Sequence, residues 1–334
     1  MWSWSPRSNV LLPQSAGTYN IFKKINQADH VKTIYSFLLL ASVSASVSAT
    51  NCPQHFAAGL APMIVNQKMA AATQELCYEG YGAMHSGVTR TPLWSAEHLT
   101  RANLEVAQSL SREDSFHPDP NLLINGRAEL KDYSRSGYDR GHMSPNSDFS
   151  TRTAQYESFS LGNIVPQDAN NNRQIWSGVE RSTRRLAKAQ GELYVITGPA
   201  FLGNSLNRVG NVLVPTHLYK VVYSPMLNQA AAYFVANTAT SNYSVISISM
   251  LEAKIGINLL PGVSQSVKNT AMQLPAPTPY SRNESGYTQV GIDQISSASA
   301  AAGAGAINYV QGSKLVNAAP AIAATVQFIR NIGR

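Results

Sequence analysis

Charged residues, cysteines and long apolar runs are all scarce in this 334-residue sequence. Only 13% of the residues are charged and two are cysteines, whereas 44% are hydrophobic, and no internal repeat is visible. A disordered chain needs low hydrophobicity, and a coiled coil needs many charged residues in a heptad pattern, so both classes are excluded. The composition instead indicates a globular protein with a packed core.

The few charges are unbalanced. The sequence has 26 Lys and Arg residues against 19 Asp and Glu, and the net charge of +7 favours an anionic partner such as a nucleic acid or a membrane surface. Basic residues outnumber acidic ones in residues 1–49, so much of the excess positive charge belongs to this segment. Net charge by itself therefore leaves the partner open.

Residues 1–49 are predicted to be a signal peptide. A short apolar run over residues 34–43 ends in small residues, of which Val47-Ser48-Ala49 matches a signal-peptidase site. The run is shorter than the roughly 20 residues that span a bilayer, so no stable membrane span is expected. The segment before the apolar run is long, and a translation start at Val31 is a hypothesis that would shorten it. The alternative to a signal peptide is that the apolar run is a buried strand or helix. The leader predicts a periplasmic or secreted bacterial protein.

The two cysteines, Cys52 and Cys77, lie just after the predicted cleavage site. An oxidising compartment would pair them, so a disulfide is predicted. Two buried thiols are the alternative. Two cysteines so far apart, without a nearby histidine pair, make a poor zinc site.

Residues 50–278 are predicted to form one mixed α and β domain, followed by an Ala-, Ser- and Gly-rich tail over residues 279–334. The apolar end of the tail, residues 318–329, is predicted to be a docked or fraying helix. Residues 93–99 favour a strand, and residues 81–86 leave strand and helix open. The remaining predicted elements are strands at 192–197, 212–223 and 230–236 and helices at 177–190 and 247–255.

Chemistry-bearing residues are concentrated between Asp139 and Glu180. They comprise a cation, an imidazole, amides and a carboxylate, which are the groups that phosphodiester hydrolysis requires. Histidine is the natural base of near-neutral pKa, and Mg²⁺ needs only one or two protein oxygens to supply a Lewis acid. The motifs are Asp139-Arg140-Gly141-His142, then Asn163-x-x-Pro166-Gln167, then Asn172-x3-Trp176-x3-Glu180.

In this order and at this spacing, the motifs resemble the DNA/RNA non-specific endonucleases, the group that includes endonuclease G and is built around a ββα-metal (His-Me) finger. The resemblance covers residues 52–275, because residues 215–220 and 251–256 also look like later blocks of the family. It implies an α+β fold, an antiparallel sheet flanked by helices with the finger as active site. It also implies Mg²⁺-dependent cleavage of DNA and RNA to 5′-phosphate products. Mn²⁺ can substitute for Mg²⁺ on this view, and a homodimer is allowed because some members form one.

The resemblance assigns roles residue by residue. It implies that His142 is the general base, that Asn172 is the sole protein ligand of Mg²⁺ and that Glu180 holds metal-bound water. Of three consecutive asparagines, only Asn172 lies four residues before Trp176 and eight before Glu180. On an α-helix these offsets place the three side chains within about 80° of one another. The further site residues are Arg140 and Arg112 as phosphate and transition-state cations and Asn163 in the block lining the same site.

Other residues receive structural interpretations. Asp139 is predicted to hold the finger loop or to pair with a cation, and Trp176 to pack in the core. The histidines at 55, 85, 98, 117 and 217 lack comparable neighbours and are predicted to be structural. The basic stripe of Arg181, Arg184, Arg185 and Lys188 is interpreted as a solvated face, with peripheral phosphate contact as the alternative. Only Arg184 is expected near Glu180, which makes it a candidate substrate-binding residue.

Two other functions remain open at this level. One is a catalytically silent nucleic-acid-binding protein with the same fold, and the other is a delivered nuclease toxin whose tail binds a partner. The presence of both His142 and Asn172 favours the active enzyme.

Overall fold

The computed structural model describes residues 50–279 and 286–295. The predicted signal peptide, the alternative start and most of the predicted tail lie outside these residues.

Fourteen strands lie within the described residues, and eight of them form one sheet. The sheet order is β14-β12-β11-β10-β7-β4-β3-β2, antiparallel except for the parallel pair β12 and β14. The strands are β1 Met63–Ile64, β2 Thr73–Cys77, β3 Gly82–Ser86, β4 Thr91–Thr100, β5 Tyr138–His142, β6 Ile164–Asp168, β7 Glu192–Ala200, β8 Arg208–Val209, β9 Val212–Leu213, β10 His217–Ser224, β11 Gln229–Ala236, β12 Asn242–Ile246, β13 Ile257–Asn258 and β14 Thr288–Gln289.

Helices cover both faces of the sheet. Successive residues of β11 alternate between two apolar clusters, since Ala232 and Phe234 belong to one and Tyr233 and Val235 to the other. Both faces are therefore buried, and the central strands are mostly apolar. The helices are α1 Arg101–Ala107, α2 Arg152–Ser158, α3 Ala169–Asn171, α4 Ser177–Gln190, α5 Ile248–Ile255 and α6 Gln265–Asn269. Those described helices are all too short or too polar to cross a bilayer.

A separate two-stranded ribbon carries the first two motifs. Strand β5 pairs antiparallel with β6, with Gly141 opposite Val165 and His142 opposite Ile164. The chain then continues through α3, a π-helical turn over Asn172–Trp176 and α4. This ribbon followed by a helix is the predicted ββα finger, and the α+β fold class is confirmed.

Most predicted elements are present, with two differences and one open assignment now decided. The predicted strand at 212–223 is two strands, β9 and β10, because Pro215 cannot donate a backbone hydrogen bond in the interval between them. Residues 81–86, left open between strand and helix, contain β3. The domain extends beyond its predicted end at residue 278, because Thr288–Gln289 pairs with β12 and Ile295 is buried in the core.

The structure contains the predicted disulfide between Cys52 and Cys77, whose Cα atoms lie 5.8 Å apart. It joins the segment before the first strand to the end of β2, the edge strand of the sheet.

We expect replacement of both Cys52 and Cys77 by serine to lower the free energy of unfolding by about 3–4 kcal/mol, because the cross-link restricts the unfolded chain. The folded variant should keep its turnover number, since the bond does not touch the finger. Denaturant unfolding and a nuclease assay measure the two effects. Two free thiols in the denatured, unreduced wild-type protein would contradict the bridge.

Candidate active site

The finger is held together by the amide side chains of its motifs. The Gln167 side chain lies over Gly141 of the opposite strand, and a Cβ atom at position 141 would be 2.0 Å from Gln167 Oε1. Gln167 Nε2 also donates to Asn171 Oδ1 over 2.8 Å, which connects β6 to the following helix. The glycine of the first motif and the glutamine of the second therefore fix the register of the ribbon.

Asn163 connects the finger to the large sheet. Its Oδ1 accepts hydrogen bonds from Ser95 Oγ at 2.9 Å and from the Ser144 amide at 3.0 Å. Its Nδ2 donates to the carbonyl oxygens of Ser144 at 2.8 Å and Ser158 at 2.9 Å. The side chain is fully buried, and these four bonds use its hydrogen-bonding capacity. The structure therefore places Asn163 in support of the chain beside His142, with its side-chain hydrogen bonds made to the protein; contact with substrate stays a prediction.

His142 ends β5 in a mostly apolar environment. Its ring packs against Phe116, with centroids 5.2 Å apart, and edge-on against Phe159 at 4.9 Å. Only 8% of the residue is exposed, and Nε2 has no hydrogen-bond partner in the described part of the chain. Burial, with the nearby charges of Arg112 and Arg140, lowers the pKa of His142 to about 3. The imidazole is therefore neutral at physiological pH.

Two guanidinium groups lie on the same aromatic rings. The Arg140 guanidinium is 4.0 Å from the Phe116 centroid, and that of Arg112 is 4.9 Å from the Phe159 centroid. Arg112 also donates to Asp114 at 2.6 Å and to Asn146 at 3.0 Å. These cation–π contacts and hydrogen bonds orient both cations without removing their charge from the surface.

Asp139, which was predicted to hold the finger loop, orients the side chain of Asn172. Asn172 Nδ2 donates to Asp139 Oδ2 at 3.0 Å, and Arg173 contacts the same carboxylate through two bonds of 2.9 and 2.7 Å. The structural role predicted for Asp139 is confirmed. No described residue donates to Asn172 Oδ1, so this oxygen is available to a ligand.

The three consecutive asparagines have different environments. Asn170 is exposed, whereas Asn171 is fully buried, accepts from Gln167 and donates to the Ala236 carbonyl at 2.7 Å. Asn172 alone among them lines a cleft. Geometry and spacing therefore select the same residue.

The cleft has a volume of about 600 Å³ and brings Arg112, Arg140 and Asn172 together. Phe116 forms part of its wall and contacts His142 behind it. Glu180, Asn163 and Arg184 do not line this cleft. The predicted site residues therefore fall into two groups. Arg112, Arg140 and Asn172 line the cleft, whereas Asn163, Glu180 and Arg184 do not.

Glu180 belongs to a cluster of buried charges between the sheet and α4. Arg184 forms a 2.7 Å ion pair with Asp148, and Lys220 lies 3.8 Å from Glu97. Burial raises the pKa of Glu180, partly offset by the charges of Arg184 and Lys220. Three members of this cluster were not predicted: Glu97, Asp148 and Lys220. The available signal was an ionisable residue inside an otherwise apolar strand, as with Glu97 in β4 and Lys220 in β10.

The solvated face predicted for the basic stripe is wrong for two of its residues. Arg184 is only 16% exposed at its side chain because it pairs with Asp148. Arg181 donates to Ser177 and to the Thr278 carbonyl. The chain segment around Thr278 packs on this part of α4, which the helix sequence alone does not reveal.

The α-helical geometry assumed for Asn172 to Glu180 is also wrong at its start. Asn172–Trp176 is a π-helical turn, and its i to i+5 hydrogen bonds hold an extra residue per turn. Side-chain directions calculated at 100° per residue therefore do not apply there. Trp176 is fully buried, as predicted.

A ribbon and helix that present a buried imidazole behind an amide and two cations define a nuclease of the ββα-metal class. A model of the DNA/RNA non-specific endonuclease family matches residues 62–266. The chain belongs to this family of enzymes, which hydrolyse nucleic acids.

Individual relatives are also nucleases. The chain is 38% identical over 170 residues to Nuclease C1 of Cunninghamella echinulata var. echinulata, which covers 46% of this chain and 67% of that protein. It is 35% identical over 163 residues to human mitochondrial nuclease EXOG, an alignment that covers 45% of this chain and 44% of that protein. It is 32% identical over 210 residues to mitochondrial Nuclease 1 of Schizosaccharomyces pombe, an alignment that covers 55% of this chain and 65% of that protein. The chain therefore spans from under half to two thirds of the length of these relatives.

The fold is similar to a solved structure in the same group. A chain in the crystal structure of the EndoG/EndoGI complex, which addresses EndoG inhibition, superimposes with a TM-score of 0.53 at 25% identity. The similarity covers 62% of this chain and 95% of that chain.

The predicted periplasmic or secreted bacterial location is wrong. Relatives from human, fission yeast and budding yeast are named mitochondrial nucleases, which points to mitochondria and not to bacterial export. Residues 1–49 are basic and contain one acidic residue, a composition that mitochondrial transit peptides share with export leaders. The leader pattern therefore could not distinguish the two destinations.

We expect Arg112→Gln to raise the pKa of His142, because removing a nearby positive charge favours the imidazolium. NMR titration of the free protein measures this shift, with Lys68→Gln as a control for remote charge removal. The unfolded histidine titrates near 6.5, above the native value of about 3. Protons therefore bind the unfolded chain preferentially, and this histidine's contribution to stability is lost as pH falls from about 6.5 to 3. An unchanged His142 pKa in Arg112→Gln would refute the proximity of the two charges.

Proposed function

We propose that this protein is a Mg²⁺-dependent endonuclease that hydrolyses phosphodiester bonds of DNA and RNA and leaves 5′-phosphate ends. The observation that carries the proposal is the cleft in which Arg112, Arg140 and Asn172 lie in front of His142. The whole arrangement provides a base, two cations and a metal ligand within one site.

His142 acts as the general base in this mechanism. Its imidazole is neutral and Nε2 has no hydrogen-bond partner among the described residues, so the ring nitrogen that carries no proton can accept one from the attacking water. Because the proton comes from water and not from a ribose 2′-hydroxyl, the reaction does not require RNA. This supports cleavage of both DNA and RNA.

Arg140 and Arg112 bind the phosphate and stabilise its additional negative charge in the transition state. Their guanidinium groups are held on Phe116 and Phe159, so little reorganisation is needed when substrate arrives. The bond to the 3′ oxygen breaks as water attacks phosphorus, which leaves the phosphate on the 5′ side of the product.

Asn172 fits the requirements of a Mg²⁺ ligand. Its Oδ1 has no donor among the described residues, and an amide oxygen is a ligand type that Mg²⁺ accepts while keeping several waters. Within the same residues, no group of three His, Cys, Asp or Glu side chains could hold a metal. Bound there, the ion would polarise the phosphate and stabilise the leaving oxygen. Glu180 would hold water on the metal's side of the site.

We also propose a mitochondrial location, supported by the names of several relatives. A homodimer stays a prediction.

We expect the chain from residue 50 to degrade plasmid DNA and RNA with Mg²⁺ and to lose this activity in EDTA. His142→Ala should reduce the rate by about 10²–10⁴-fold while nucleic-acid binding is retained, because solvent does not replace a positioned base. Gel-based digestion and fluorescence anisotropy give the two readouts. A His142→Ala rate above about a tenth of wild type would reject this base, and binding without any turnover in the wild type would favour the silent nucleic-acid-binding protein.

We expect Asn172→Ala to weaken both Mg²⁺ affinity and turnover, since it removes the available amide oxygen. Asn170→Ala is the matched control, because Asn170 is a neighbouring asparagine that is exposed. Isothermal titration with Mg²⁺ and rates over a Mg²⁺ series measure the effect. Equal losses in the two variants would show that Asn172 is not the ligand. Asn171→Ala is unsuitable as a control because its buried amide is fully engaged in the fold.

A further inference from the structure

A second cavity of about 480 Å³ adjoins the active-site cleft. Leu130 lines both cavities, so they are neighbouring parts of one surface. We name the second cavity the distal groove, and its charged lining residues are Arg90, Arg127, Glu129 and Lys131.

The distal groove carries positive charge that its own residues do not neutralise. Its acidic lining residue, Glu129, is already paired with Arg127 at 2.8 Å. Arg90 donates to the backbone carbonyls of Asn125 at 2.8 Å and of Arg127 at 3.2 Å, which are neutral groups. Lys131 is exposed and forms no ion pair with any residue that the structure describes. Two cations therefore remain available to an anion.

A third cation lies beside the groove. Arg208 donates to the Asn211 carbonyl at 2.7 Å, and Asn211 lines the groove. Burial and, second to it, the charge of Arg90 lower the pKa of Arg208. The fold holds Arg90 in the left-handed region at φ 57°, a conformation that disfavours a side chain. An anion in the groove would offset the repulsion between these cations.

We propose that the distal groove binds phosphate groups of a nucleic-acid substrate at a distance from the scissile bond. The ligand class follows from uncompensated guanidinium and ammonium groups on a surface continuous with the catalytic cleft. Ile124 and Leu130, 66% and 42% exposed, offer apolar contacts beside the cations to sugars and bases. The proposal rests on the proposed function and adds that long substrates bind more tightly than short ones.

The test compares a tetranucleotide with a 20-nucleotide single strand, using fluorescence anisotropy in EDTA over a salt series. The variant is Lys131→Gln with Arg208→Gln, and the control is Lys68→Gln with Lys254→Gln, which removes equal charge from residues that line neither cavity. We expect the Kd of the 20-mer to rise roughly tenfold, and the salt slope to fall by about 0.7 for each phosphate that the variant no longer neutralises. The tetranucleotide and the control should change less than about twofold on the same scale.

A second variant, Arg90→Gly, removes a cation and leaves a residue that adopts positive φ without strain. It should show the same dependence on substrate length. Equal losses for both lengths would overturn the proposal, because the cations would then act at the scissile site. Unchanged binding of the 20-mer would also overturn it. Because binding is measured without metal or turnover, failure of the distal groove is distinguishable from failure of the nuclease mechanism.

Discussion

The geometry of the site depends on buried amide hydrogen bonds inside the finger. Asn163 holds the backbone beyond His142, and Gln167 joins the ribbon to Asn171. A buried amide that lacked a partner would cost about 1–3 kcal/mol, so these bonds disfavour a shift of register. A shift by one residue would turn His142 to the other face of the ribbon. The position of His142 is therefore a consequence of amides that need not touch substrate.

The low pKa of His142 means that bound substrate would affect how strong a base this residue is. A histidine with a pKa of about 3 is neutral but a weak base, since basicity falls with pKa. Burial is the largest cause, and the positive charges of Arg112 and Arg140 add to it. A phosphate between these guanidinium groups would neutralise part of that field and raise the histidine pKa toward the useful range. Base strength and substrate binding are coupled in this arrangement.

Sequence patterns predicted the elements whose limits are set locally. Helix α4 has the predicted bounds and ends at Gln190, followed by the cap residue Gly191 with φ 96°, and α5 begins after the cap residue Ser247. The π turn at Asn172 and the strand at Thr288–Gln289 were not predictable. The first interrupts a helix without a local sequence signal, and the second pairs two exposed residues with β12.

In the site, too, features set by local sequence were predictable and features set by tertiary packing were not. Motif spacing predicted that His142 and Asn172 belong to the site, because the residue types themselves carry the proposed chemistry. It did not identify Phe116 and Phe159, whose role is to contact the base and the cations through tertiary packing. Nor did it show that Arg184 is committed to Asp148, since that pair joins segments 36 residues apart in sequence.

The buried charge cluster connects the sheet to helix α4 of the finger. It has three carboxyl groups and two cations, and burial with the charge of Asp148 raises the pKa of Glu97 well above its usual range. Lys220 lies 3.8 Å from Glu97 and Arg184 lies 2.7 Å from Asp148, so each of these cations has a carboxyl group beside it. The charges of Arg184 and Lys220 also oppose the effect of burial on the pKa of Glu180. Residues of β4 and β10 thus contribute to the electrostatic environment of a carboxyl group on the finger helix, and the finger is coupled electrostatically to the sheet behind it.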